Sequence, residues 1–348
     1  MDDTKLAATS AALLLSLILY FFWTPRRASA AESAEDHAES PPHEPSITDV
    51  LVVKSMLNKA LNLPPEIVNA TIDLAEYWPH STTEVSFGES RVTARGGRIG
   101  GREADENYFL LRSAPIGLQK LGRRREGSLP IHRTPPKPQP PGEEFSVDDF
   151  QAPEASPLSM LAHPCRRIVF TIRSHDQGWG GDYHNRRTYE NSWTWFEAGL
   201  ERWCRTSPAS TGAAEQQQAS QDQSGPSLQL EDLCTVLPEV ERKEEADDYV
   251  FKHPLLPRED LRIQSNRVAD GDTQTHRVVW SYTDDIDPVR DLEAATRLKE
   301  QGRGAATANG RFVRDLKLGD VVTVWAKARF RGWANHVESV KLDVYYAI

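Results

Sequence analysis

His175 and Asp176 stand side by side, followed by Gln177-Gly178-Trp179-Gly180-Gly181. Adjacent imidazole and carboxylate groups are a donor pair that metal-dependent phosphoester hydrolysis uses. Such centres draw further His and Asp from helices, whereas this pair closes a strand. The residue types instead predict that His175 and Asp176 hydrogen-bond the loop backbone and shape the turn. Gln177 and Trp179 then offer a polar group and an aromatic plane to a ligand. His175, Asp176, Gln177 and Trp179 are therefore the candidate ligand-binding residues, with no metal expected among them.

Three other constellations lead away from chemistry. Asp284-Asp285-Ile286-Asp287 offers oxygen ligands to a hard cation such as Ca²⁺ but lacks the glycine and spaced carboxylates of a calcium loop. A helix N-cap with acidic first-turn residues accounts for Asp287 without metal. Gly302-Arg303-Gly304 with Gly310 has the composition of a phosphate loop, but it follows a helix and lacks the Gly-Lys-Ser/Thr ending. No Gly-x-Ser-x-Gly, His-Glu-x-x-His or Cys–His pairing occurs. No catalytic residue and no cofactor is expected, and the reading is of a binding protein rather than an enzyme.

The elements that position these residues read as strands. Segments 83–94, 107–116, 166–173, 192–201, 260–268, 275–282, 321–330 and 337–348 carry strand signals, about eight in all, as in a sandwich. Alternation is clearest in the last: Val340, Leu342, Val344, Tyr346 and Ile348 face one way, and Lys341, Asp343 and Tyr345 the other. Trp193 and Trp195 alternate with Thr194 and Phe196, so one pair points inward and the other outward; Trp280 and Trp325 are also expected in the core. Asp287-Pro288 is expected to cap a helix running to about Gln301. Short strands with turns and long excursions predict an all-β fold with minor α, an antiparallel β-sandwich of jelly-roll type over 82–348. A Pro-rich linker at 120–160, with its Arg123-Arg124-Arg125 triplet read as solvated, and a low-complexity insertion at 205–228 interrupt it.

Ahead of the sandwich, the apolar run 6–23 spans about 27 Å as a helix, close to a bilayer core. Tyr20 and Trp23 sit at one end, with Arg26 and Arg27 beyond them. These flanks predict a transmembrane signal-anchor over 1–27 with the C-terminal domain in the cytosol, at the endoplasmic reticulum or the mitochondrial outer membrane. The competing expectation is secretion after cleavage at Ala28-Ser29-Ala30. Residues 28–46 read as a disordered acidic linker. In 47–80, Pro65 opens a helix whose apolar face holds Ile67, Val68 and Ile72. The formal charge of −10 opposes general nucleic-acid binding. Three cysteines, Cys165, Cys204 and Cys234, without metal-type spacing, predict free thiols in a reducing compartment.

Two segments resemble known families. Leu63-Pro64-Pro65-Glu66-Ile67-Val68 with Ile72 resembles the first helix of an F-box, which implies recruitment of a cullin-ligase adaptor through Leu63, Pro64, Ile67, Val68 and Ile72. Residues 168–348 resemble the C-terminal domain of a group of fungal proteins that combine SHDQGWG, SWTWFEA and a late GD-VVTVWA-ARF-GW-N stretch, here 319–335. The layout is also similar to galactose-binding-like sandwiches, including phloem lectins and F-box-associated substrate domains. That similarity implies a module for a protein or glycan ligand and names no residue of the site.

Overall fold

A computed structural model describes residues 44–88, 91–97, 105–118, 131–151, 159, 161–205, 230–243 and 248–348. The anchor expected at 1–27 and the linker up to residue 43 lie outside the described residues, as does 206–228 of the expected insertion. Among the described residues, no helix is long and apolar enough to cross a membrane.

Two antiparallel sheets share one core. In the first, β1 (His80–Ser86), β13 (Ala334–Tyr346), β5 (Cys165–His175) and β11 (Gln274–Ser281) lie in that order, and β2 (Val92–Arg95) also pairs with β13. In the second the order is β10 (Arg262–Ser265), β6 (Thr194–Arg205), β12 (Val321–Ala328) and β3 (Asn107–Arg112). Two further strands, β4 (Glu143–Glu144) and β7 (Leu233–Leu237), pair with β6, and β8 (Glu239–Arg242) and β9 (Tyr249–Lys252) form a separate hairpin.

Successive side chains of a strand point to opposite faces, so a period-2 apolar set is buried as a row. Val340, Leu342, Val344 and Tyr346 of β13 form such a row, as the alternation predicts, beside Ile168, Phe170 and Ile172 of β5 and Trp280 of β11. Phe196, Ala198 and Leu200 of β6 and Val322, Val324, Ala326 and Ala328 of β12 complete the same core from the second sheet.

The alternate residues, Trp195 to Trp203 on β6 and Val321 to Lys327 on β12, must then face away from the core, yet they are buried as well. Trp203 and Val321 pack with Phe150 and Leu233, so part of the expected Pro-rich linker is built onto this outer face. Phe251 and His253 lie edge-on to Trp325. The charged members of the row are paired. Arg112 donates two bonds to Glu201, at 2.7 and 3.0 Å, and a third to the Ile131 carbonyl at 2.7 Å. Burial pushes the Glu201 carboxyl upward and Arg112 pulls it back.

Two helices, α1 (Ile47–Leu61) and α2 (Pro65–Leu74), precede the sandwich. Ser46 and Asp49 form a capping box at the start of α1, each satisfying a backbone N–H of the other. Ile72 of α2 and Val50 of α1 pack with Trp78 and Ala347, against the end of β13. Arg166 of β5 holds the Asp73 carboxylate with two bonds, at 3.0 and 3.1 Å, and Trp78 Nε1 donates to the same carboxylate.

Several expectations are corrected. The strand expected at 83–94 is broken into β1 and β2 around Gly88, whose φ of 55° suits glycine. The helix expected from Asp287 begins later, as α3 (Leu292–Glu300), because Asp291 caps it through the Ala294 N–H; Asp287 instead accepts from Val289 and Arg290 in the preceding turn. A short α4 (Arg311–Asp315) follows. Trp195 and Trp325 are buried, but on the outer face of the second sheet rather than between the sheets. Cys204 and Cys234 are not free thiols: β7 returns antiparallel to β6, bringing their Cα atoms to 6.0 Å, and they form a disulfide. Only Cys165 is a free cysteine, and it is buried.

Glu201→Ala strands the Arg112 guanidinium inside the protein. It is expected to cost about 3–5 kcal/mol in urea unfolding. A loss below about 1 kcal/mol would show that the pair does not hold the outer layer.

Candidate functional site

The chain leaves β5 at Ser174-His175-Asp176, where buried polar groups from both sheets converge. Asn266, just beyond β10, accepts from Ser174 Oγ at 2.7 Å. Its Nδ2 faces Asn335 Oδ1 at 2.9 Å, Thr194 Oγ1 at 3.2 Å and the His175 carbonyl at 3.4 Å. Asn335 of β13 donates in turn to the carbonyls of Trp195 and Lys327 at 3.0 and 3.3 Å. The network therefore ties strands of both sheets together directly beneath the loop.

Asp176 is fully buried and builds the loop. Its carboxylate accepts three backbone N–H bonds: Gly178 at 2.7 Å, Ala269 at 2.6 Å and Asp270 at 2.9 Å. Burial pushes its carboxyl up to about 6, against the pull of those three donors. The carboxylate thereby joins the loop after β5 to the turn at 268–271. The two backbones run so close that a Cβ on Gly178, where φ is +81°, would sit 3.2 Å from the Gly271 Cα.

His175 is also buried. Its Nδ1 lies 2.6 Å from the Asp176 carbonyl and its Nε2 lies 2.8 Å from Arg91. Its ring stacks on His336 at 4.8 Å. Burial, helped by His175 and by Arg91 and Arg95, lowers His336 to about 4, so that ring is neutral near pH 7. Gln177 uses both ends of its amide: Nε2 donates to the Trp179 carbonyl at 2.7 Å, and Oε1 accepts from the Ala334 N–H at 3.2 Å.

Trp179 differs from its neighbours. Its ring is 64% exposed and rests against Gly332 in the β12–β13 turn. Tyr183, on the short 3-10 helix Tyr183–Asn185, is 78% exposed, and Phe330 of the β12–β13 turn is 44% exposed with its edge against Trp193. Of the four loop residues singled out from sequence, three are thus spent on holding the loop, and Trp179 alone presents a large open surface. Tyr183 and Phe330, which sequence reasoning missed, belong to the same two loops.

The remaining predicted residues lie elsewhere. Val68 and Ile72 of α2 are buried, Leu63 is half-buried, and Pro64 and Ile67 are exposed. Asp284 accepts from the Ser281 N–H and so closes a turn. Among the described residues, no group of three or more His, Cys, Asp or Glu side chains could hold a metal ion.

Asp176→Ala leaves three backbone donors without an acceptor, and a loss on the order of 3 kcal/mol is expected in chemical denaturation. Asp176→Asn keeps an oxygen acceptor and should recover part of it. A change under about 0.5 kcal/mol for the alanine variant would contradict the assigned role. No protein-family model, curated protein or solved structure matches this chain.

Proposed function

We propose that the chain is a non-catalytic binding and adaptor protein, whose sandwich, of jelly-roll and galactose-binding-like type, recognises a protein or glycan ligand through the loop that carries Trp179. One observation carries this reading: a tryptophan exposed on a loop whose neighbouring polar side chains are all committed to the loop's own shape. Such a ring is preorganised, so little ordering entropy opposes binding. Its flat face suits both sugar rings and side chains of a partner. In this reading the apolar run 6–23 anchors the protein in a membrane, with the sandwich on the cytosolic side.

Recruitment of a cullin-ligase adaptor would run through Leu63, Pro64 and Ile67, because Val68 and Ile72 are turned into the protein's own fold. A second reading, a lectin-like module facing an oxidising compartment, is favoured by the Cys204–Cys234 disulfide. Disulfides persist in secreted and lumenal proteins and are rare in the cytosol.

Trp179→Ala is expected to leave the melting temperature unchanged and to weaken ligand binding by about 2 kcal/mol or more, the loss typical of a central aromatic contact. A glycan array and a cross-linking capture from cell extract, each run with wild type and variant, separate the two ligand classes. A blank array removes the lectin-like reading. Undiminished binding by the variant in whichever assay registers a ligand removes the loop as the site.

A further inference from the structure

A second site lies on the outer face of the second sheet, built from groups the Trp179 loop does not use. Alternation along β12 puts Lys327 on that face beside Trp325, and Glu197 of β6 lies directly opposite Trp325. The Lys327 side chain is only 1% exposed. Its Nζ lies 2.6 Å from His253 Nδ1 and 3.5 Å from Glu197 Oε2. The other Glu197 oxygen accepts from Trp195 Nε1 at 2.8 Å and from the Arg258 N–H at 3.2 Å, which fixes the carboxylate with Oε2 toward the amine.

Lys327 and Glu197 line a cavity of about 320 Å³, bordered also by Trp325, Arg258, Lys252 and Glu239. That volume is in the range of small-molecule sites. Burial lowers the Lys327 ammonium to about 8, with Glu197 pulling the other way and Arg329 reinforcing the shift. His253 is driven down to about 3 by burial and by Lys327 and Arg329, so its ring is neutral and accepts the Nζ proton. A desolvated lysine with an accessible neutral form is a nucleophile toward carbonyl carbon.

We propose that this cavity takes a small aldehyde or ketone and holds it as a Schiff base on Nζ of Lys327. The Nζ lone pair adds to the carbonyl carbon, a C–N bond forms, and the carbonyl π pair moves to oxygen. One Nζ proton passes by way of Glu197 to that oxygen, giving a carbinolamine. The second follows as the C–O bond breaks, and the oxygen leaves as water. Aldehyde and amine thus become imine and water, with nothing oxidised or reduced. His253 is a positioning residue that orients Nζ. The charged and titratable groups near Nζ are Glu197 from β6, His253 from the segment after β9, and Arg329 just past the end of β12.

The test treats the full chain with salicylaldehyde, reduces the imine with borohydride and maps the adduct by peptide mass spectrometry. Lys327 is expected to be labelled at least about tenfold faster than exposed Lys59 and Lys252, as a desolvated amine in a cleft should be. The rate is expected to rise as pH rises through about 8. Glu197→Gln should slow labelling about a hundredfold at unchanged circular dichroism, the usual size of a lost proton carrier. Lys327→Arg should abolish it. The proposal is overturned if Lys327 in the folded wild-type protein stays unlabelled or reacts no faster than Lys59 and Lys252. The wild-type map decides this even if a variant unfolds, and it is independent of whether Trp179 binds a ligand.

Discussion

The carboxamides of Asn266 and Asn335, buried where the two sheets meet at one end, are the constraint on which the site depends. Each would be costly if left unpaired in the interior. Together they bond to one another and to groups on β5, β6 and β12, with Asn335 itself on β13. A satisfied buried network of this kind stiffens what it joins, because sliding one strand past another breaks several bonds at once. The loop after β5 grows out of this fixed end. Asp176 then extends the same logic outward, fastening the loop to the 268–271 turn with three backbone bonds.

The outer face of the second sheet obeys a different constraint. Sheets in a sandwich usually leave that face to water, and the sequence then alternates apolar with polar. Here the outer face is covered by parts of 131–151 and by the segment around β8 and β9, so its polar members must be paired. Glu201 is answered by Arg112, and Glu197 by Lys327, Trp195 and the Arg258 backbone. A buried ion pair is a weak source of net stability, but removing one partner strands the other. The outer layer therefore settles in the arrangement that keeps every charge matched, and the cavity in front of Lys327 lies at its margin.

These two constraints explain which parts were legible in the sequence. β13 could be read from its alternation because its two faces differ in burial. β6 could not be assigned faces: Phe196 and Trp195 are both buried, one in the shared core and one under the outer layer, so the alternation of aromatic and polar residues did not tell them apart. The charged residues on β6 and β12, Glu197, Glu201 and Lys327, were the available signal for a covered outer face, since charges placed between apolar residues of a strand must be either solvated or paired. β7 and the Cys204–Cys234 bond escaped because pairing between distant segments is not encoded in linear spacing. The His175–Trp179 loop was found from composition, but the division of labour within it depends on the backbone donors at 269 and 270, which no side-chain pattern announces.

The three backbone bonds to Asp176 make the loop that presents Trp179 rigid rather than mobile. Native-state amide hydrogen exchange at Gly178, Ala269 and Asp270, the three donors to Asp176, tests it most directly, because exchange requires those bonds to open. Protection comparable to that of the adjoining strands β5 and β13 is expected. Exchange at the rate of freely exposed loop amides would contradict it.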